Sequence, residues 1–194
     1  MNDFFFANNA HLIVQLDEPI AVHQIRMKHF DDFVQQAESI KEFLKHKKIT
    51  DDLVAEVTGQ YFNNCLGMIR LVIDKNDQYI ADLVHNPVHV FILTKAVIQA
   101  NFAYFDNYEK TQRAKPRVAE KSDVTWFDSF QVLINAGHSH DSIMNMGYGM
   151  FMAYIDAVKK QQKYQIYGNA SYMRIAFHAD KDQFEKFSED VTNG

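Results

Sequence analysis

The scarcity of glycine and proline is the feature that most constrains what this chain can fold into. Only seven of its 194 residues are glycine and three are proline. Because these two residues mark most of the turns between short strands, their scarcity favours long helices. From Phe30 to Leu44 the apolar residues recur at alternating steps of three and four. That spacing predicts an amphipathic helix.

The first residues follow a different pattern. His11–Leu16 and Ala21–Arg26 are both β-prone, and the stretch Asp17–Ile20 between them is typical of a turn. The sequence therefore predicts a mainly α fold, which is a helical bundle in two units with a small N-terminal β-hairpin.

Four segments describe the predicted domain organisation. They are a hairpin (1–27), a first helical unit (28–108), a basic linker (109–123) and a second helical unit (124–194). The linker lacks helical periodicity. It could be a plain surface loop, or a tether that lets the two units open around a ligand.

Local signals predict where several helices begin and end. Thr50 is a candidate N-cap, and Asn86-Pro87 combines an N-cap with a proline at the first helical position. Ser122 or Asp123 is the predicted cap of the second unit. Gly137 marks a helix end.

Charge, hydropathy and cysteine content exclude several function classes. The formal net charge is −5, and the acidic and basic residues are interspersed, so nucleic acid is not an expected partner. No run of about eighteen apolar residues is present, so we expect no membrane span. The lone Cys65 and an N-terminus without signal-peptide features are typical of a cytoplasmic protein.

The stretch after Gly137 is the one candidate for chemistry. His138, His140 and Asp141 could contribute to a metal-dependent enzyme. The interpretation that we favour is the polar joint between two helices, because a structural zinc needs four ligands and no further pair of Cys or His ligands lies nearby. Ser139 would then cap the second helix. We expect no catalytic residue, metal or cofactor.

Aromatic residues are abundant, with sixteen Phe and nine Tyr. Most such residues belong to a core, but exposed aromatic and Met side chains are also typical of protein-binding surfaces. They gather near the start of the chain, at the end of the third long helix and in the tail: Phe4–Phe6, Phe102–Tyr108 and Tyr164–Phe187.

Three segments together resemble the tail assembly chaperones of long-tailed phages, especially the Mu-like type. They are Ile20–Ile40, Val97–Phe105 and Trp126–Gln162. The residues that match the family pattern are Val97, Ile98, Asn101, Tyr104 and Phe105 in the central helix, and Trp126, Leu133, Ile134, Gly137, His138, Tyr148 and Lys159-Lys160 after the linker. The chain departs from the pattern in its short basic linker and in Gly147 before Tyr148.

The resemblance implies a protein of the host cytoplasm that is not an enzyme. Such a chaperone binds the tape measure protein, prevents its aggregation during tail assembly, and helps to recruit tail tube subunits. In many phages a longer version arises by programmed frameshifting. A structural component that stays in the virion tail is an alternative.

A chaperone of this kind needs an apolar groove for an amphipathic helix. The candidate partner-binding residues are Phe102, Phe105, Trp126, Met144, Met146, Tyr148, Met150 and Phe151. Side chains at these spacings are more often core residues.

Overall fold

The structure is a computed structural model that describes residues 3–105 and 125–193. Helices dominate this part of the chain, and the described strands form one two-stranded antiparallel sheet. The elements are α1 (Asp3–Ala7), β1 (Leu12–Gln15), β2 (Pro19–Val22), a 3₁₀ turn (Met27–His29), α2 (Phe30–Leu44), α3 (Asp51–Gln60), α4 (Phe62–Val72), α5 (Asp77–Leu83), α6 (Pro87–Ala100), α7 (Phe102–Phe105), α8 (Trp126–Asn135), α9 (His140–Asn145), α10 (Tyr148–His178) and α11 (Lys181–Asn193). The predicted mainly α fold with an N-terminal hairpin is confirmed.

The hairpin closes with a shorter turn than the sequence pattern indicated. Strand β1 pairs with β2 from Leu12–Val22 to Gln15–Pro19, so β2 begins at Pro19 and not at Ala21. The Leu16 N–H donates to the Glu18 carbonyl at 3.3 Å, which closes the chain in a tight turn. Beyond β2 the chain leaves the hairpin for the helices.

The apolar side of α2 lies at the centre of the helical core. Helix α2 packs against α4, and α4 packs against α6. Five periodic residues of α2 are buried: Phe30, Phe33, Ala37, Ile40 and Leu44. The helix that the spacing predicted is therefore present, and its buried positions are those that the spacing selected.

Side-chain caps begin the helices where the sequence predicted them. The Thr50 hydroxyl accepts a hydrogen bond from the Leu53 N–H at 3.3 Å at the start of α3. The Asn86 side chain accepts from the His89 N–H at 3.2 Å, and Pro87 is the first residue of α6. These bonds satisfy N–H groups that have no partner within the helix.

Helix α8 begins with a reciprocal capping box. The Thr125 hydroxyl accepts from the Asp128 N–H at 3.2 Å, and the Asp128 carboxylate accepts from the Thr125 N–H at 2.8 Å. The Thr125 N–H and the Thr125 hydroxyl both donate to this carboxylate and lower the pKa of Asp128. The predicted caps, Ser122 and Asp123, lie outside the described residues, as does the whole predicted linker (109–123).

The segment after the linker packs on the segment before it. The Met27 N–H donates to the Met146 carbonyl at 2.9 Å, and the Tyr148 N–H donates to the Ile25 carbonyl at 2.8 Å. The Tyr148 ring also stacks on Phe30, with 4.7 Å between ring centroids. Helix α9 and the start of α10 thus pack on the segment that links the hairpin to α2.

Two compact units result, Met1–Ile155 and Asp156–Gly194. The sequence placed the main boundary at the basic linker, whereas the structure divides the chain inside α10. Burial of Leu133, Ile143 and Phe151 in the first unit explains the difference, because these residues contribute to its interior. The second unit contains the rest of α10 followed by α11.

Candidate partner-binding surface

Most of the eight predicted partner-binding residues lie inside the first unit. Phe105, Met146 and Phe151 are buried. Four more are half-buried, namely Phe102, Met144, Tyr148 and Met150. Trp126 differs from these seven because half of its side-chain surface is exposed (50%).

Tyr148 has a structural role at this position. Its ring stacks on Phe30 and approaches Tyr104, with 6.0 Å between those centroids. Burial raises the pKa of the Tyr148 phenol. Tyr148 follows the linker and both of these rings precede it, so the side chain connects the two segments and leaves little of its ring for a partner.

Trp126 and Phe127 provide an exposed aromatic pair at the start of α8. Trp126 contacts Phe30 and Phe151 with centroid distances of 5.3 and 6.0 Å, so one side of the indole is held by the core. Phe127 is 74% exposed. This pair retains apolar surface that a partner could cover.

The stretch after Gly137 is a helix joint. Gly137 has a φ of +97°, in the left-handed region that favours glycine, and ends α8. The Ser139 hydroxyl then accepts from the Ser142 N–H at 3.1 Å and caps α9. Both interpretations from the sequence are confirmed.

The two histidines of this joint contact aromatic rings. His138 lies 5.0 Å from Tyr154, and His140 lies 5.8 Å from Phe130, measured between ring centroids. Across residues 3–105 and 125–193, no three His, Cys, Asp or Glu side chains are grouped so that they could hold a metal ion. The metal-enzyme alternative based on His138, His140 and Asp141 therefore gains no support from the geometry.

Cys65 is poorly suited to nucleophilic chemistry. Its side chain is fully buried on the apolar face of α4. Burial raises the pKa of the thiol to about 11. Because the thiolate is the reactive form, the folded protein holds this residue in an inert state.

A polar cavity of ≈ 590 Å³ lies between the segment that follows β2 and the helices α2 and α4. Its charges largely cancel, because Arg26 and Arg70 in the lining are balanced by Asp32 and Asp74. Such a lining selects neither an anion nor a cation. The cavity therefore gives no specific ligand class.

A small apolar groove runs between α3 and α6, with a volume of ≈ 350 Å³. Gly59, Phe62, Val88 and Phe91 are among its lining residues. Its size suits one or two apolar side chains and is too small for a long helix. We therefore regard it as a secondary feature.

The largest run of exposed apolar side chains belongs to the second half of α10. Ile166, Ala170, Met173 and Phe177 recur at steps of four, three and four, so they line one side of the helix. The exposed fractions of Ile166, Met173 and Phe177 are 69%, 58% and 83%. We call these four residues the α10 stripe.

Helix α11 contacts a different side of α10. The Tyr172 and Phe187 rings lie 5.3 Å apart, and Gly168, Ser171 and Ala179 are half-buried on that side. Since the stripe points elsewhere, α11 leaves it uncovered. An uncovered stripe of this length is typical of a surface that binds another helix.

Comparisons with known proteins found no matching family model, no matching curated protein and no matching solved structure. No helix of the described residues is long and apolar enough to cross a membrane.

The candidate residues that the sequence suggested in α10 lie near its start, where Met and Phe are densest, whereas the exposed stripe lies in its second half. The stripe was visible in the sequence as the spacing of Ile166, Ala170, Met173 and Phe177. What the spacing could not show is that α11 packs on another side of α10 and leaves this side exposed. That fact depends on long-range packing.

Proposed function

We propose that this protein works by binding, as a phage tail assembly chaperone that covers apolar helices of the tape measure protein. The α10 stripe is the single observation that carries the proposal. Its side chains are large, apolar and exposed on a regular helix, so they offer the surface that helix-on-helix recognition needs. The class of partner is the one that the resemblance of the sequence implies.

The stripe has the composition of an adaptable binding surface. Met173 has a flexible side chain and Ile166 an aliphatic one, and Phe177 has a large ring that can anchor the contact. Met side chains adjust to varied partners, which suits a chaperone that must cover a long helical protein without one fixed register. Trp126 and Phe127 on the first unit would add a second apolar contact.

A chaperone that shields apolar helices requires no reactive group. The inert Cys65 thiol and the ring contacts of His138 and His140 are compatible with this proposal. We therefore propose that the protein is not an enzyme. Recruitment of tail tube subunits is an additional role that the resemblance suggests.

Point substitutions test the proposal better than large deletions. Removing everything after Ser122 would take Leu133, Ile143 and Phe151 out of the core, so lost binding could reflect unfolding. Replacing Ile166, Met173 and Phe177 with Ser changes only exposed positions. These replacements should leave the melting temperature of the first unit unchanged.

The experiment is co-expression of the tape measure protein from the same phage with the full-length chain, followed by affinity purification. We expect the wild type to keep the tape measure protein soluble and to co-purify with it, and the triple Ser variant to lose both effects. The matched control replaces exposed apolar residues of the first unit, Phe4 and Ile13, with Ser. Equal recovery with all three chains would reject the stripe as the binding surface, and no recovery with the wild type would reject the function.

A further inference from the structure

The charged residues in the part of α10 that contains the stripe all have the same sign. Between Ala157 and Ala179 the sequence contains four cationic residues and no Asp or Glu. These cations are Lys159, Lys160, Lys163 and Arg174. The charged residues that α10 itself places beside these apolar positions are therefore all cationic.

Two of the cations are direct neighbours of the stripe. Lys163 precedes Ile166 by three residues, and Arg174 precedes Phe177 by three residues, so each lies next to a stripe residue on the helix surface. Both side chains are exposed. Arg174 also follows Ala170 by four residues, which places it along the middle of the stripe.

We infer that the stripe takes an amphipathic helix whose apolar positions are flanked by Asp and Glu. This inference rests on the proposed function and specifies the chemistry of the partner segment. From Ile166 to Phe177 the stripe spans about three helical turns, or roughly 16 Å at 1.5 Å per residue. A partner helix of about three to four turns is long enough to cover it.

The net charge of the second unit favours a protein partner over a polyanion. From Asp156 to Gly194 the sequence has six Lys or Arg and six Asp or Glu. Attraction to nucleic acid or to an anionic membrane surface depends on a net excess of cations, which this unit lacks. Pairing with a helix depends instead on the charged residues beside the apolar contact. On the stripe these residues are Lys163 and Arg174.

The test uses the full-length chain and two synthetic helical peptides with the same apolar positions. One peptide carries Glu on both flanks of its apolar face, and the other carries Lys. We expect the Glu peptide to bind roughly tenfold more tightly at low salt, because two or more cross-helix ion pairs change sign between the peptides. The difference in affinity between the two peptides should shrink as salt is added.

Two variants identify the groups responsible. Lys163→Glu combined with Arg174→Glu should reverse the preference between the peptides. The matched control, Lys28→Glu combined with Lys48→Glu, makes the same change in net charge at exposed positions of the first unit and should preserve it. The triple Ser variant of Ile166, Met173 and Phe177 should bind neither peptide.

Several outcomes would overturn the inference. Equal binding of the two peptides would reject a role for the cations. Tighter binding to vesicles that contain anionic lipid, or to single-stranded RNA, would assign the surface to another class of partner. Sedimentation showing a dimer that becomes a monomer in the triple Ser variant would assign the stripe to a second copy of this chain.

Failure of this inference is distinguishable from failure of the proposed function. If the tape measure protein still co-purifies through the stripe but the peptides bind equally, the charge preference alone is wrong. If the Glu peptide binds selectively but the tape measure protein does not co-purify, the surface has the inferred chemistry and the proposed partner is wrong.

Discussion

Asn101 holds the segment after the hairpin against α6 through three hydrogen bonds. Its side-chain oxygen accepts from the Ile25 N–H at 2.6 Å, and its side-chain nitrogen donates to the carbonyls of His23 (3.3 Å) and Val97 (3.0 Å). Asn101 is one of the residues on which the family resemblance depends. Its role here is structural, since it satisfies backbone groups of an irregular segment that would otherwise be buried without partners.

Capping residues could be predicted from the sequence, but burial of individual side chains could not. Thr50, Asn86 and Ser139 act on the first turn of their own helices, so the information is local. Met146 and Phe151 were candidate binding residues, but they lie in the core because of contacts with residues far away in the sequence. The residue type alone does not tell whether a Met or Phe side chain lies in the core or on a binding surface.

Two glycine substitutions should have opposite effects on stability. A Cβ on Gly149 would lie 2.7 Å from the Gln24 side-chain oxygen and would collide with the Phe6 ring. Gly149→Ala should therefore lower the free energy of unfolding by about 1–3 kcal/mol. A Cβ on Gly59 in α3 meets no atom within 4 Å, so Gly59→Ala should raise it by about 0.5–1 kcal/mol.

Urea unfolding of the two Gly variants beside the wild type measures both effects. The pair is matched in chemistry, since each change adds one methyl group to a helical glycine. Similar midpoints for both variants would show that the contacts around Gly149 relax without cost.

Cys65 should make the folded state less stable at high pH. Burial raises its pKa from 9.0 to about 11. Between these values the unfolded chain loses the thiol proton and the folded chain keeps it, so stability falls as pH rises, by at most about 1.4 kcal/mol per pH unit. Cys65→Ala should show a shallower loss of unfolding free energy from pH 9 to 11. Parallel pH profiles for variant and wild type would contradict this expectation.

At the scale of elements, α8, α9 and the start of α10 pack on the segment between the hairpin and α2 and on Phe30 of α2. Their contacts include the Met27–Met146 and Ile25–Tyr148 hydrogen bonds and the Phe30–Tyr148 stack. The sequence could predict these helices from periodicity and caps. It could not predict that they pack on the first helical segment, because helical periodicity shows that a face is buried without showing which element covers it.

Two separate chains, residues 1–115 and 116–194, should associate when they are co-expressed. The buried contacts across the predicted linker hold the two parts together without requiring a covalent connection. Affinity purification through a tag on the first chain should recover the second in equal amount. Replacing both Phe30 and Tyr148 with Ser should weaken this association, and recovery of the tagged chain alone from the wild-type pair would contradict the prediction.

At the scale of the whole molecule, the first unit has its own buried core and the second exposes apolar residues. Ile155 is among the last buried apolar residues of the first unit, and the stripe begins at Ile166. The sequence indicated two units, but it assigned the boundary to the linker. Helix α10 explains why the observed boundary differs from the predicted one. The start of this helix contributes buried side chains to the first unit, and its later part exposes apolar side chains.

A chain that ends at Lys160 should fold like the full-length protein and lose partner binding. It retains Phe151 and Ile155 and lacks the stripe and α11. We expect its urea midpoint to equal that of the wild type and its co-purification with the tape measure protein to disappear. A lower midpoint would indicate that the second unit stabilises the first, and retained binding would assign recognition to Trp126 and Phe127.

Trp126 is the sole tryptophan of the chain and touches both Phe30 and Phe151. Its indole is therefore a natural fluorophore at the joint between the segments before and after the linker. Emission excited selectively from tryptophan reports whether α8 is docked, independently of helix content. A red shift that precedes the loss of helical signal during unfolding would reveal undocking of α8 as a separate, earlier event.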